Sequence, residues 1–237
     1  MTSAFLTRAL IVAALLFTAF IIIRDQMRHH PERLPWTPLT LQQPIGPFTA
    51  RKLQALADDP ALCRALLTAA EAGFTPLPPV TGDSCGYSGA VTLQPEAPAA
   101  VWRPGEPGAS CPVAAALYLW ERDIVRPATL RHFRKPIAAI DHFGTYSCRR
   151  INNRPSGDWS EHARANAIDI AGFRLEGGTQ IRVLGDWNGD PARAAFLREV
   201  RDGACRLFGT TLSPDYNAAH ADHLHLDQAA RGGSYCR

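Results

Sequence analysis

His220-Ala221-Asp222-His223-Leu224-His225-Leu226-Asp227 is the stretch on which the fold turns. From His223 onward polar and apolar residues alternate strictly, the mark of a half-buried β-strand, so His223, His225 and Asp227 project from one face while Leu224 and Leu226 enter the core behind it. Both imidazoles therefore point the same way. Upstream, Ser160-Glu161-His162-Ala163-Arg164-Ala165-Asn166-Ala167-Ile168-Asp169 sets a histidine and a carboxylate seven positions apart. Residues Ala165 to Phe173 again alternate as a strand does, which places Ala165, Ala167 and Asp169 on one face and His162 in a turn that folds back above Asp169. Small side chains at 165 and 167 leave room for a metal ion and a substrate backbone.

These residue types suit one chemistry. A catalytic zinc takes three protein ligands from His and Asp/Glu and keeps a position open for water, at about 2.0 to 2.2 Å for nitrogen and carboxylate ligands. His162, Asp169 and one of the pair His223/His225 supply that set. The other histidine of the pair then lies close enough to act as general base toward water.

Working outward, Ala90 to Leu93, Ile137 to Asp141 and Ile181 to Leu184 read as strands, whereas Pro112 to Asp123, ended by Pro127, and Pro191 to Leu207 read as helices. Thr49 is a candidate cap for a helix over Ala50 to Ala57, and Asp59-Pro60 starts another that Gly73 stops. Helices first and strands mixed in later predict an α+β domain, with a small antiparallel or mixed sheet that carries the zinc site and packs with helices. This domain is expected over 48–237. Before it, 27–47 holds five prolines and little apolar periodicity, as an extended linker does.

Residues 1–26 are expected to be a membrane anchor. The apolar run Ala9 to Ile23 has 15 residues, short for a roughly 30 Å hydrocarbon core, but extending it back to Ala4 gives a span in which the Arg8 side chain reaches the headgroups. The flank lacks a small-x-small cleavage site, which favours an uncleaved anchor over a signal peptide. Arg8 faces Arg24, Arg28 and Arg33 across the run, so charge alone does not orient it. The cysteines decide instead. Cys63, Cys85, Cys111, Cys148, Cys205 and Cys236 all follow the anchor, are even in number and include no C-x-x-C pair. Three disulfides require an oxidising compartment, so a single-pass inner-membrane protein with its folded domain in the periplasm is expected. Neighbour pairing, Cys63 with Cys85, Cys111 with Cys148 and Cys205 with Cys236, is the expected connectivity.

The chain has 237 residues, 46% hydrophobic and 20% charged, so it holds a packed core and is not a large multidomain machine. A net charge of +3 without a long basic block gives no electrostatic footprint for nucleic acid.

Three stretches carry a family resemblance: Gly144-Thr145-Tyr146-Ser147-Cys148-Arg149, Ser160 through Asp169, and Tyr216-Asn217-Ala218-Ala219-His220 through Asp227. Together they resemble the bacterial extensin-like C-terminal domain family, over about Leu62 to Cys236. The second stretch also resembles, more distantly, the S-x-H-x-x-G-x-A-x-D signature of the D-Ala-D-Ala carboxypeptidase and lysostaphin group of zinc peptidases, with Ala165 in place of the glycine. The resemblance implies Zn2+ as cofactor and peptidoglycan peptides as substrate. It makes the second histidine of the H-x-H, His225, the third ligand beside His162 and Asp169, leaves His223 as the base, and assigns an oxyanion-holding arginine to Arg149. His220 is expected to contact substrate or orient a ligand, Asp227 to hold an imidazole tautomer, and Ser160 with Asn166 to support the turn. His142 is expected in the core or at its rim. The competing expectation is a cell-wall binding or structural module without chemistry, and a third is a hydrolase of another polymer. No protein partner is implied.

Overall fold

A computed structural model describes residues 2–94, 99–231 and 233–237. The N-terminal run folds as a single helix, α1 (Thr2–His29), with Leu10, Leu16 and Phe17 among its exposed side chains. Its stretch Ala4–His29, 26 residues long, is long and apolar enough to cross a membrane, as a single-pass anchor would. The segment after it is not free. Leu41 is fully buried in the core, Ile45 packs against it, and the backbone carbonyls of Leu41 and Ile45 accept from Arg122 at 2.7 Å and Arg206 at 2.9 Å. The extended linker expected over 27–47 is not what forms: α1 runs on to His29, Pro31–Arg33 makes a 3₁₀ turn, and three apolar side chains, Leu39, Leu41 and Ile45, fasten the segment to the domain.

The domain opens with α2 (Thr49–Gln54) and α3 (Pro60–Ala69). Asp59 caps α3 by accepting from the Leu62 N–H at 2.9 Å, as the Asp-Pro pair predicts. Thr49 differs from expectation: it is the first residue of α2, and its hydroxyl accepts from the Gly46 N–H at 2.9 Å, so it ties down the incoming chain. Strands β1 (Phe74–Pro76), β2 (Ala90–Leu93), β3 (Val101–Arg103) and β4 (Gly108–Ser110) follow, and β1, β2 and β4 form a three-stranded antiparallel sheet.

Helix α4 (Cys111–Trp120) is buried along nearly its whole length. Pro127 does not end it. The chain widens into a π-helical turn at Glu121–Val125 and continues as α5 (Arg126–Phe133), with Pro127 in the first turn of α5. A proline is tolerated where the preceding i→i−4 ladder is already broken, and the wide turn breaks it.

The main sheet uses β5 (Ile137–Gly144), β6 (Ala167–Leu175), β7 (Gln180–Arg182), β8 (Thr210–Leu212), β9 (Leu224–Asp227) and β10 (Tyr235–Cys236), with the turn α6 (Val183–Asp186) and helix α7 (Pro191–Ala204) between β7 and β8. Its order is β10-β8-β9-β6-β5-β3, with β7 beside the second half of β6. The pairs β3/β5 and β8/β10 are parallel and the rest antiparallel, a mixed sheet in an α+β domain.

Strand β6 is the hub. Ile168 and Ile170 face the core, and a one-residue slip against β5 at Ala171 returns Phe173 to that same side, where it meets Trp120 of α4 at 5.9 Å and Phe196 of α7 at 5.0 Å. Asp169 is left on the opposite face. A second slip, at Phe143 of β5, leaves that ring 62% exposed beside the same face.

The disulfides correct the expected connectivity in two of three cases. Cys205–Cys236 pairs neighbours, but the others are Cys63–Cys111 and Cys85–Cys148. Spatial adjacency overrides sequence distance here. Helix α3 packs along α4, which puts Cys63 beside the first residue of α4. The loop around Cys85 is laid on the 160s turn by the Gly86 N–H, which donates to the Ala163 carbonyl at 2.9 Å, and so reaches Cys148.

Candidate metal centre

Each proposed ligand is held by a different device. His162 lies in a 3₁₀ turn at Glu161–Arg164, where the Ser160 hydroxyl accepts from the His162 N–H at 3.3 Å. Ala165 ends that turn in the left-handed conformation, φ 53, so it is not part of the strand as expected; β6 begins two residues later. Left-handed backbone is where glycine has no steric penalty, which explains why a glycine suits the position. Alanine there costs roughly 1–2 kcal/mol, yet the turn is intact: the Ala165 N–H donates to His162 at 3.2 Å and its carbonyl accepts from the Ser110 N–H at 2.8 Å. Asp169 projects from β6, and His225 is its directly opposed partner on β9.

The tautomers then follow from hydrogen bonds. His162 Nδ1–H donates to the Thr145 carbonyl at 2.8 Å, which leaves Nε2 with a lone pair. His225 Nε2–H donates to Asp227 at 3.1 Å, which leaves Nδ1 with a lone pair. Asp227 also accepts from the Ala229 N–H at 2.9 Å. The two lone pairs and the Asp169 carboxylate converge: His162 Nε2 lies 3.1 Å from Asp169 Oδ2, His225 Nδ1 lies 2.9 Å from Asp169 Oδ1, and the two nitrogens are 3.2 Å apart. All three ligand atoms fall within 4.8 Å of one another. Three electron-pair donors so close repel unless a positive charge lies between them. Two imidazole nitrogens and a carboxylate, each backed by a protein partner, form a donor set that could hold a divalent cation such as zinc.

Electrostatics without a metal express the same demand. Burial disfavours the Asp169 carboxylate, but hydrogen bonds and charge from His162 and His225 outweigh it and hold it well below the usual carboxylate range. Burial likewise opposes charging His225, but Asp169 and Asp227 outweigh it and raise the imidazole to about 9 from 6.5. A raised folded value stabilises the fold below the unfolded value and stops doing so above the folded one. In chelator, the thermal midpoint of the domain is therefore expected to fall as pH rises from 6.5 to 9. With zinc bound the trend weakens or reverses, since the cation takes the proton's place. Thermal melts with and without chelator across this range check the sign; a flat or rising midpoint in chelator refutes it.

Around the cluster lies a cleft of about 530 Å³. Every site residue expected from the sequence lines it: His162, Asp169, His223, His225, Arg149, His220, Ser160 and Asp227. His223 Nδ1–H donates to Asp222 at 2.8 Å, and its Nε2 lies 3.5 Å from Asp169 Oδ1. Arg149 Nη2 lies 3.6 Å from Asp169 Oδ2, an ion pair that also aims the guanidinium at the cluster. Its backbone is fixed by the Ser160 N–H, which donates to the Arg149 carbonyl at 3.1 Å, and by the neighbouring Cys148–Cys85 disulfide. His220 Nδ1–H donates to Asn217 Oδ1 at 2.8 Å, and burial followed by repulsion from His223 and His225 lowers its imidazole to about 4. Asn166 supports the turn through Glu161 at 2.7 Å. His142 lies outside the cleft and bonds the Gly105 carbonyl at 2.8 Å.

Sequence reasoning missed several residues. Asp222, adjacent to His223, and Asn217, within the quoted motif, were open to detection as imidazole partners. The Thr145 carbonyl carries no side-chain signal. Trp159, Arg231 and Tyr235 also line the cleft, from segments without recognisable chemistry, and Tyr216 lines it from the start of the third quoted stretch, where no role was expected of it.

No curated protein and no solved structure matches the chain. A sequence model of one family, the extensin-like protein C-terminus, matches residues 61–237, from the start of α3 through the last residue and across the whole cluster. The chain belongs to the extensin-like protein C-terminus family.

Proposed function

We propose that this protein is a zinc-dependent hydrolase of peptide bonds in peptidoglycan, of D,D-carboxypeptidase or endopeptidase type, held to the inner membrane by α1 with its domain in the periplasm. The observation that carries the reading is the convergence of His162 Nε2, Asp169 and His225 Nδ1 on one point at the floor of an open cleft, with the outer nitrogen of each imidazole tied off. The likeness of Ser160 through Asp169 to the zinc peptidase signature supports it, as do three disulfides beyond an apolar helix.

A zinc ion held there supplies Lewis-acid polarisation and a water whose pKa approaches about 7. The chain's residues do the rest. His223 keeps Nδ1–H on Asp222, so its Nε2 lone pair faces the cleft floor and takes the proton released by the attacking water. Arg149 offers guanidinium donors on the same side as the cluster, where negative charge develops on the scissile carbonyl oxygen. Asp227 and the Thr145 carbonyl hold the two imidazoles so that neither ring turns during the reaction.

The test is metal analysis of the purified protein together with release of peptides from cell-wall sacculi. Zinc bound at stoichiometry and cleavage lost in chelator and restored by zinc are the expected results. Zinc without cleavage of sacculi selects a cell-wall binding module on the same fold, and cleavage of a different polymer selects another hydrolase.

A further inference from the structure

The two walls of the cleft differ in how their polar groups are matched. On the wall built by 149–161, Arg149 faces Asp169, and Glu161 accepts from Asn166. On the floor, Asp227 is committed to His225 and to the Ala229 N–H. The far wall, built by β8 and the segment from β9 to β10, holds donors instead. Arg231 lines it, exposed, with no ion pair or hydrogen bond among the described residues. In the same wall Thr210 is only 4% exposed, and its hydroxyl is buried without a partner among the described residues. Thr210 is paired in the sheet with Asp227 on one side and Tyr235 on the other, so it lies between the floor and the rim.

This wall is held in place. The Tyr235 N–H donates to the Gly209 carbonyl at 2.8 Å, and Cys236 is bonded to Cys205. The rings of Tyr216 and Tyr235 meet edge to face at 6.2 Å and close the rim with apolar surface. A guanidinium in the cleft without a counter-ion among the described residues, next to an aromatic rim, selects an anion with planar paired oxygens.

We propose that Arg231 anchors a free carboxylate of the substrate and so determines which peptides the cleft accepts. The inference rests on the reading of this cleft as the place where a peptide is bound. Peptidoglycan peptides carry carboxylates at the chain terminus and on side chains, and the chemistry at Arg231 is the same for both.

The experiment is calorimetric binding to the zinc-loaded full chain, which reads recognition without requiring cleavage. Three forms of one D-Ala-D-Ala-terminated peptide with an acidic side chain serve as probes: the free acid, the terminal amide, and the form amidated on the side chain. One of the two amidated forms is expected to bind about ten- to a hundredfold more weakly than the free acid, the size of a lost charge-assisted hydrogen-bond pair, and which one it is names the carboxylate. Arg231→Ala is expected to weaken the free acid by a similar factor and to leave that amidated form unchanged, with Arg231→Lys intermediate. Zinc content and thermal midpoint of both variants, expected at wild-type values because the side chain is exposed, confirm folding. Equal binding of all three peptides, or equal loss for acid and amide in Arg231→Ala, overturns the proposal. Binding with this pattern but no cleavage leaves the anchor standing and removes the hydrolase. No binding of any peptide overturns both.

Discussion

Asp169→Asn is expected to eliminate zinc binding and to destabilise the metal-free domain, the largest effect of any single substitution here. The carboxylate is the one negative charge that faces His162, His225, His223 and Arg149 together, at 3.1, 2.9, 3.5 and 3.6 Å. Asparagine keeps the shape but not the charge. Without it, the proposed zinc loses an anionic ligand and meets an amide nitrogen or a weaker oxygen in its place. In the metal-free protein the His225 proton loses its main partner, since that proton is held by Asp169 ahead of Asp227. Removing one member of a buried pair costs about 3 kcal/mol or more. The cost is expected in full near pH 6, where wild-type His225 is charged, and to shrink as pH rises through about 9, where it loses its proton. Metal analysis and urea unfolding in chelator at the two pH values are the measurements. Retained stoichiometric zinc, or a stability loss equal at both pH values, contradicts the assignment.

How far the site was legible depends on the period of the structure that carries each residue. The alternation in 223–227 fixed the face of His225, because a strand allows no other arrangement and β9 spans Leu224–Asp227; His223 precedes the strand and reaches the same cleft from the turn before it. The same logic failed at Ala165. A left-handed turn residue followed by a strand leaves the same alternating pattern as a longer strand, and only the glycine of the resembling signature hinted at φ above zero. Arg149 was placed by its order in the motif alone, and what brings it to the cluster is remote: the hydrogen bond from Ser160 and the disulfide to Cys85.

Long-range partners were the illegible part of the fold. The Cys63–Cys111 and Cys85–Cys148 pairs span 48 and 63 residues, and nothing local distinguishes them from neighbour pairs. The helix that runs past Pro127 depends on a wide turn upstream that composition does not mark. Composition also suggested an extended linker over 27–47, because its five prolines mask the three apolar residues that reach the core; burial of Leu41 is decided by the groove that receives it. The far wall of the cleft was invisible for the same reason. Arg231 and Tyr235 carry no motif and Tyr216 no expected role, and Tyr235 comes to the Tyr216 ring through the parallel pairing of β10 with β8.

The two histidines of the H-x-H are expected to separate in experiment, because the sheet gives them different positions. His225 is directly opposite Asp169 across the β6/β9 ladder, where Cβ atoms lie about 4.5–5.5 Å apart. His223 lies before the first residue of β9, and its ring leans on Phe143 and His220 at 6.0 and 5.1 Å. The carboxylate behind each ring differs as well. Asp227, 2% exposed, fixes the His225 ring from within the sheet, whereas Asp222, 48% exposed at its side chain, leaves His223 free to exchange a proton with solvent. His225→Ala is therefore expected to lose zinc and cleavage together. His223→Ala keeps zinc, and its turnover falls by about 10² to 10⁴, the usual contribution of a positioned general base, with little change in KM. Zinc content and thermal midpoint of that variant are expected at wild-type values while kcat falls, a split that a merely structural loss would not give. Zinc lost from His223→Ala and kept in His225→Ala would exchange the two roles, and the 3.5 Å between His223 Nε2 and Asp169 Oδ1 makes that exchange the specific alternative the pair of variants decides.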